Sequence, residues 1–154
     1  MKTAYIDGPL TELEESQKKV VKSFYARIAD VCGNVFGVRA FVPHEHFDPE
    51  RHSKFTPQEV DVAERDQVCN KTSVLIVVAV APSWGGGIEV EMAWQSKVPA
   101  LVLCESKKLR TGKISRLLRG NPAVQRVIEY ETDEEALYLL RGALLDMQRL
   151  GIIE

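Results

Sequence analysis

The chain has 154 residues, with 20 Lys and Arg against 22 Asp and Glu, for a formal net charge of -2. That length suits a single domain over 1–154 with a core of its own, and the near-balance of charge leaves no electrostatic footprint for nucleic acid or a membrane surface. Hydrophobic residues make up 45% and charged residues 27%, an ordinary globular mixture, and no segment reaches the roughly 18 apolar residues of a membrane span.

TAYID (3–7) reads as a first strand, stopped by Gly8-Pro9. A helix is predicted from Leu10 or Thr11 to about Cys32, with Val20, Val21, Phe24, Tyr25 and Ile28 as its apolar stripe and Gly33-Asn34 as its stop. VRAFVP (38–43) reads as the second strand, followed by the polar loop HEHFDPERHSKF. Thr56-Pro57 carries the cap and first-turn proline of a helix running to about Asn70. SVLIVVAV (73–80), apolar and β-branched throughout, has the profile of a central strand covered on both faces. After Gly85, Gly86 and Gly87 a helix is predicted to about Lys97, then a strand at PALVLCE (99–105). A short helix over KISRLLRG (113–120), a fifth strand VQRVIEY (124–130) and a last helix over 132–150, capped by Thr132 with Glu135 completing the box, finish the chain.

This strict alternation predicts a doubly wound, five-stranded parallel sheet with helices on both faces, of the flavodoxin-like or Rossmann-like kind. In such sheets ligands sit beyond the carboxyl ends of the strands, which here means Tyr5–Pro9, the loop at 43–56 and the segment 81–89. The N-terminus has no signal-peptide run, and Cys32, Cys69 and Cys104 stand far apart without a CxxC spacing, so free thiols in a cytoplasmic setting are expected.

The three glycines between a strand and a helix offer backbone N–H groups and a helix dipole to an anion, and equally suit a tight connection. They match neither a Walker loop nor a dinucleotide fingerprint. Glu89 and Glu91, two apart on a helix, point about 200° from one another, so only one can face a given site. Glu89 shares a stripe with Met92, Ala93 and Ser96, and a carboxylate in a first turn is held ionised by the helix N-terminus, as suits a nucleophile. Asp66 falls on a stripe with Val62, Ala63 and Cys69, whereas Glu59, Asp61 and Glu64 read as solvated surface. If Asp66 faces inward it forms with Glu89 a carboxylate pair suited to glycosidic chemistry; near its helix end it is otherwise a surface acid.

YIDGP (5–9), ERD (64–66) and PSWGGGIEVEMA (82–93) resemble, in order and with support as far as ISRLLRG (114–120), the nucleoside 2-deoxyribosyltransferase superfamily. The likeness is nearest to its hydrolytic branch, the Rcl-type 2'-deoxynucleoside 5'-monophosphate N-glycosidases. The resemblance implies Glu89 as the nucleophile that takes the deoxyribosyl group, Asp66 as the second catalytic carboxylate and Tyr5 as a contact to sugar or nucleophile. It implies Ser83 with the backbone of Gly85, Gly86 and Gly87 as the 5'-phosphate site, completed by Ser115 from the neighbouring subunit of a homodimer. Gly8-Pro9 is closer to the transferase form and Asp7 is an additional acid, so phosphate against free nucleoside, and hydrolysis against base exchange, stay open. A non-catalytic nucleotide-binding module and an NAD-type glycohydrolase are the alternatives.

His44, His46 and His52 cluster with Glu45 and Asp48, but without the spacing of a closed metal site, so neither metal nor cofactor is expected. Phe47 or His46 is placed to stack on a nucleobase, Trp84 to wall the pocket or seal the dimer, and KKLRTGKISR reads as a solvated face or, beside Ser115, as an attractor for phosphate.

Overall fold

The computed structural model describes residues 1–154. Four strands, β1 (Thr3–Asp7), β2 (Thr72–Val78), β3 (Ala100–Glu105) and β4 (Val124–Tyr130), form one parallel sheet in the order β1-β2-β3-β4. Around it run α1 (Glu15–Phe36), α2 (His44–Phe47), α3 (Pro57–Lys71), α4 (Trp84–Gln95), α5 (Ser106–Arg110), α6 (Arg116–Arg119) and α7 (Asp133–Arg149).

Side-chain alternation along the strands sends successive residues to opposite faces. Ala4, Ile6, Val74, Ile76, Leu101 and Leu103 pack under α1 and α7, around Ile28, Leu140 and Leu144. Tyr5, Leu75, Val77, Ala100 and Val102 pack under α3 and α4, around Val68, Val90 and Ala93. The mixed α/β sheet is thus covered by helices on both faces, and each fully buried aliphatic side chain contributes about 1.5–3 kcal/mol. No helix is long and apolar enough to cross a membrane.

The sheet has four strands where five were expected. The segment 38–43 makes a single parallel bridge, Tyr5 to Phe41, through Ile6 N–H to Phe41 O at 2.9 Å and Phe41 N–H to Ala4 O at 2.8 Å. Pro43 has no N–H to extend the pairing, and the chain turns at once into α2.

Helix ends moved too. Helix α1 starts at Glu15 because Glu14 and Gln17 form a reciprocal capping box. It runs past Gly33 to Gly37, whose φ of 73° is the left-handed conformation that ends helices. Helix α3 has the expected Thr56 cap and Pro57. Helix α4 begins at Trp84, so the three glycines form its first turn rather than a loop before it.

Candidate active site

The chain leaves β1 toward its Phe41 edge, where one bridge forms, and returns through α3 to β2 on the other side, so the connections part at the carboxyl end of β1. Connections that part in this way open a crevice. Tyr5 and Asp7, two residues apart on β1, project to the face covered by α3 and α4. Glu89 reaches the same point from α4, and Glu64 comes in from α3.

Tyr5 is fully buried and its hydroxyl donates to Glu89 Oε1 at 2.5 Å. Its ring stacks on Phe41 at 5.4 Å, and Phe41 stacks on His46 at 4.5 Å, so the edge segment and α2 fix the phenol from behind. Glu89 and Asp7 are 7% and 1% exposed. Burial, then the charge of Asp7, pushes the Glu89 carboxyl well above the usual range, while the Tyr5 hydrogen bond pulls the other way. Burial raises Asp7 to about 7. Glu64 is half-buried and raised as well, by desolvation and then by Asp61. Glu89 was expected in a first turn, held ionised by the helix dipole. It lies beyond the first turn of α4, which carries no acid, and desolvation outweighs the dipole.

A raised carboxyl pKa lowers stability as pH rises. Between the unfolded value of 3.8 and the folded value of about 7, native Asp7 binds protons that the unfolded chain has lost. Asp7→Asn therefore has a stability advantage over wild type that opens from pH 4 toward pH 7 and is constant above it. Its full size is on the order of 2–4 kcal/mol. Urea unfolding of both proteins at pH 4.5 and pH 8 measures it, and an equal gap at the two pH values refutes the account.

Two cavities flank the acids. The first, about 720 Å³, is lined by Asp7, Gly8, Pro9, Ser83, Gly86, Gly87, Lys108, Lys113 and Ser115 among others. The second, about 430 Å³, is lined by Phe47, His52, Phe55, Glu64, Gly85 and Glu89 among others. The first is therefore largely apolar, with Ser83, Ser115, Lys108 and Lys113 set against Asp7 and Glu91, and the second is aromatic and acidic. Ser83 and Ser115 cap α4 and α6 by accepting from Gly86 N–H at 3.1 Å and Leu118 N–H at 3.3 Å, which leaves each hydroxyl proton free to donate. Lys108 is fixed by Val80 O at 2.5 Å and Glu105 at 3.0 Å. Gly86 and Gly87 give their N–H groups to Ser83, so side chains rather than that backbone are the anion donors here.

Of the residues singled out from sequence, Tyr5, Asp7 and Glu89 come together, and Gly8, Pro9, Ser83, Gly86, Gly87 and Ser115 line the first cavity. Ser115 lines it from its own chain. Phe47 and Gly85 line the second cavity, and His46 sits behind it on Phe41. Trp84 is 87% exposed and walls neither cavity. Glu91 points away from Glu89, to Gln95 and Asn121.

Asp66 does not face the site. Its side chain is 44% exposed, paired with Lys71 at 2.5 Å and accepting from Asn70 at 2.9 Å, and these partners hold it below the usual range. The expected stripe fails because Val62 is 67% exposed, whereas Val68 is buried completely. Glu64, one turn before Val68, is the acid that α3 turns inward. Lys108 and Lys113, from the basic run read as a solvated face or a phosphate attractor, line the first cavity.

No protein-family model and no curated protein matches the chain. Among solved structures, the solution structure of BlsM superposes with a TM-score of 0.67 at 17% identity, over 96% of this chain and 94% of that one. A conserved protein from Enterococcus faecalis V583 gives 0.61 at 13% identity, over 93% and 99%. At those identities the likeness establishes the fold.

Proposed function

We propose that the chain cleaves the N-glycosidic bond of (2'-deoxy)nucleosides or their 5'-monophosphates through a covalent glycosyl ester on Glu89. The reading belongs with a doubly wound, Rossmann-like sheet and a cytoplasmic enzyme. The observation that carries it is the placing of Glu89: buried, oriented by the Tyr5 hydroxyl, and lining an aromatic, acidic cavity beside the cavity that holds Ser83, Ser115, Lys108 and Lys113.

A nucleobase suits Phe47 and Phe55, and an anionic 5' end suits Ser83, Ser115, Lys108 and Lys113. The anomeric carbon then lies beside Glu89. A Glu89 oxygen bonds to C1', the C1'–N pair leaves with the base, and Glu64, whose pKa partial burial raises, supplies the base's proton in its protonated form. Water or a second base next displaces Glu89 from C1'; the incoming proton returns to Glu64. Both steps pass through oxocarbenium-like transition states. In this mechanism Glu64 takes the second-carboxylate role first given to Asp66. Glu64→Gln is expected to lower base release by about 10²-fold or more, whereas Asp66→Asn stays close to wild type; the reverse order restores Asp66.

The deciding experiment is a nucleoside and nucleotide panel, including NAD, followed for free base with and without an acceptor base. One observation favours a second reading, a nucleotide-binding module without turnover: burial drives Glu89 toward the neutral form, which does not attack. Binding across that panel without base release selects it. A homodimer is proposed on the apolar stripe of Trp84 and Ile88, 87% and 54% exposed on one side of α4; sedimentation of the protein tests it.

A further inference from the structure

Asp7 is the buried acid to which the reaction above assigns no task. It closes β1 against the first turn of α4, so tightly that a Cβ on Gly86 would stand 2.5 Å from its Oδ1. Its Oδ2 is sealed from solvent and has no hydrogen-bond donor. The group within bonding reach is the Glu89 carboxyl, itself an acceptor when ionised. Two carboxylates cannot bond each other, and no lysine, arginine or histidine forms an ion pair with either. One hydrogen between them removes the orphan and halves the buried charge.

We propose that Asp7 and Glu89 hold a single proton between them, making Asp7 the positioning residue that donates a hydrogen bond to Glu89 and keeps it ionised for attack. The Tyr5 hydroxyl sets this division, because its hydrogen bond stabilises negative charge on Glu89. Tyr5 on β1 donates to Glu89 from the other side. Tyr25 on α1 is tied to Pro9 O at 2.7 Å and cannot serve Asp7. Glu64 on α3, when ionised, adds negative potential that disfavours a second ionisation. Lys108, Lys113 and Glu91 line the first cavity with Asp7, and His52 and Asp61 line the second with Glu89, none of them in an ion pair with the dyad.

Bond bookkeeping is unchanged by the dyad. Asp7 keeps its proton while Glu89 forms and breaks its bond to C1', and the proton for the base still comes from Glu64. When Glu89 becomes an ester, its carbonyl oxygen goes on accepting from Asp7. Neutral Asp7 also removes the repulsion that an extra carboxylate would exert on an anionic 5' end in the first cavity. Its catalytic part rests on the glycosidase reading; the shared proton does not.

The test is carboxyl-labelled ¹³C NMR of the resting protein across pH, with wild type, Asp7→Asn and Glu89→Gln. A shared proton makes the Asp7 and Glu89 signals titrate together in two steps, the second above neutrality. In Asp7→Asn, Glu89 then titrates in one step, and in Glu89→Gln so does Asp7. Independent titration of both signals below pH 5, or a Glu89 curve unchanged in Asp7→Asn, overturns the dyad whether or not the protein releases base. If base release is found, Asp7→Asn, which keeps a donor, loses about tenfold and Asp7→Ala about a hundredfold or more. Equal losses in the two variants, with both folded, refute the positioning role.

Discussion

Glu89→Gln lowers base release by about 10³-fold or more, while Glu91→Gln remains within a few-fold of wild type. The two glutamates differ by one helical step of two residues, so the contrast isolates orientation from composition. Glu89 faces the sheet, receives the Tyr5 hydroxyl at 2.5 Å and borders the second cavity. Glu91 is exposed and bonded to Gln95 and Asn121. Glutamine preserves the shape and the acceptor for Tyr5 but has no anionic oxygen with which to form the glycosyl ester. Removal of a buried, raised carboxyl does not harm the fold, so far-UV circular dichroism of Glu89→Gln is unchanged. Stable mass addition of a deoxyribosyl group to wild type under slow-turnover conditions, absent from Glu89→Gln, is the direct readout. Retained turnover in Glu89→Gln refutes the nucleophile, and loss confined to Glu91→Gln moves it to the other face.

How much of this could be read beforehand depended on how many neighbours each residue needs in order to be understood. The runs TAYID and SVLIVVAV need none, since a short β-branched stretch between turn residues has few other outcomes, and they became β1 and β2. VRAFVP has the same local look, yet its pairing depended on what lay beside Phe41; one bridge formed, and Pro43 stopped the rest. The orientation of Glu89 followed from helical geometry together with the clearly apolar Val90, Met92 and Ala93. The ionisation of Glu89 did not, because it depends on Asp7 and Glu64, which arrive from other elements.

Helix α3 shows the same limit from the other direction. It is largely polar, so a few small apolar residues suffice to suggest a false face, and Val62, Ala63 and Cys69 drew Asp66 inward. The true face passes through Val60, Glu64 and Val68, an i, i+4, i+8 series that was present in the sequence. Only the packing of Val68 against the sheet distinguishes the two series. The ERD triplet offers two acids to a resemblance, and the fold turns the first, Glu64, toward the second cavity.

Gly86→Ala is the substitution expected to injure both fold and chemistry, and its neighbours supply the control. Gly85, Gly86 and Gly87 look interchangeable in sequence, and all three have ordinary helical backbone, so none is required by a positive φ. A methyl group at 85 or 87 meets nothing within 4 Å, whereas at 86 it meets Asp7 Oδ1 at 2.5 Å. Asp7 is short, enclosed and unable to swing aside. Overpacking of this kind costs about 1–3 kcal/mol, and the displaced carboxyl loses the contact with Glu89 proposed above. Gly85→Ala and Gly87→Ala instead gain roughly 0.5–1 kcal/mol from helix propensity. Thermal unfolding thus separates the three, with 86 falling and 85 and 87 holding or rising. Gly87 lines the first cavity, so a rise in KM for a 5'-monophosphate in Gly87→Ala, with stability intact and the free nucleoside unaffected, marks the space that the anion occupies beside this turn. Equal stability in all three variants removes the close packing of Asp7 on α4, and with it the reason the acid pair is held together.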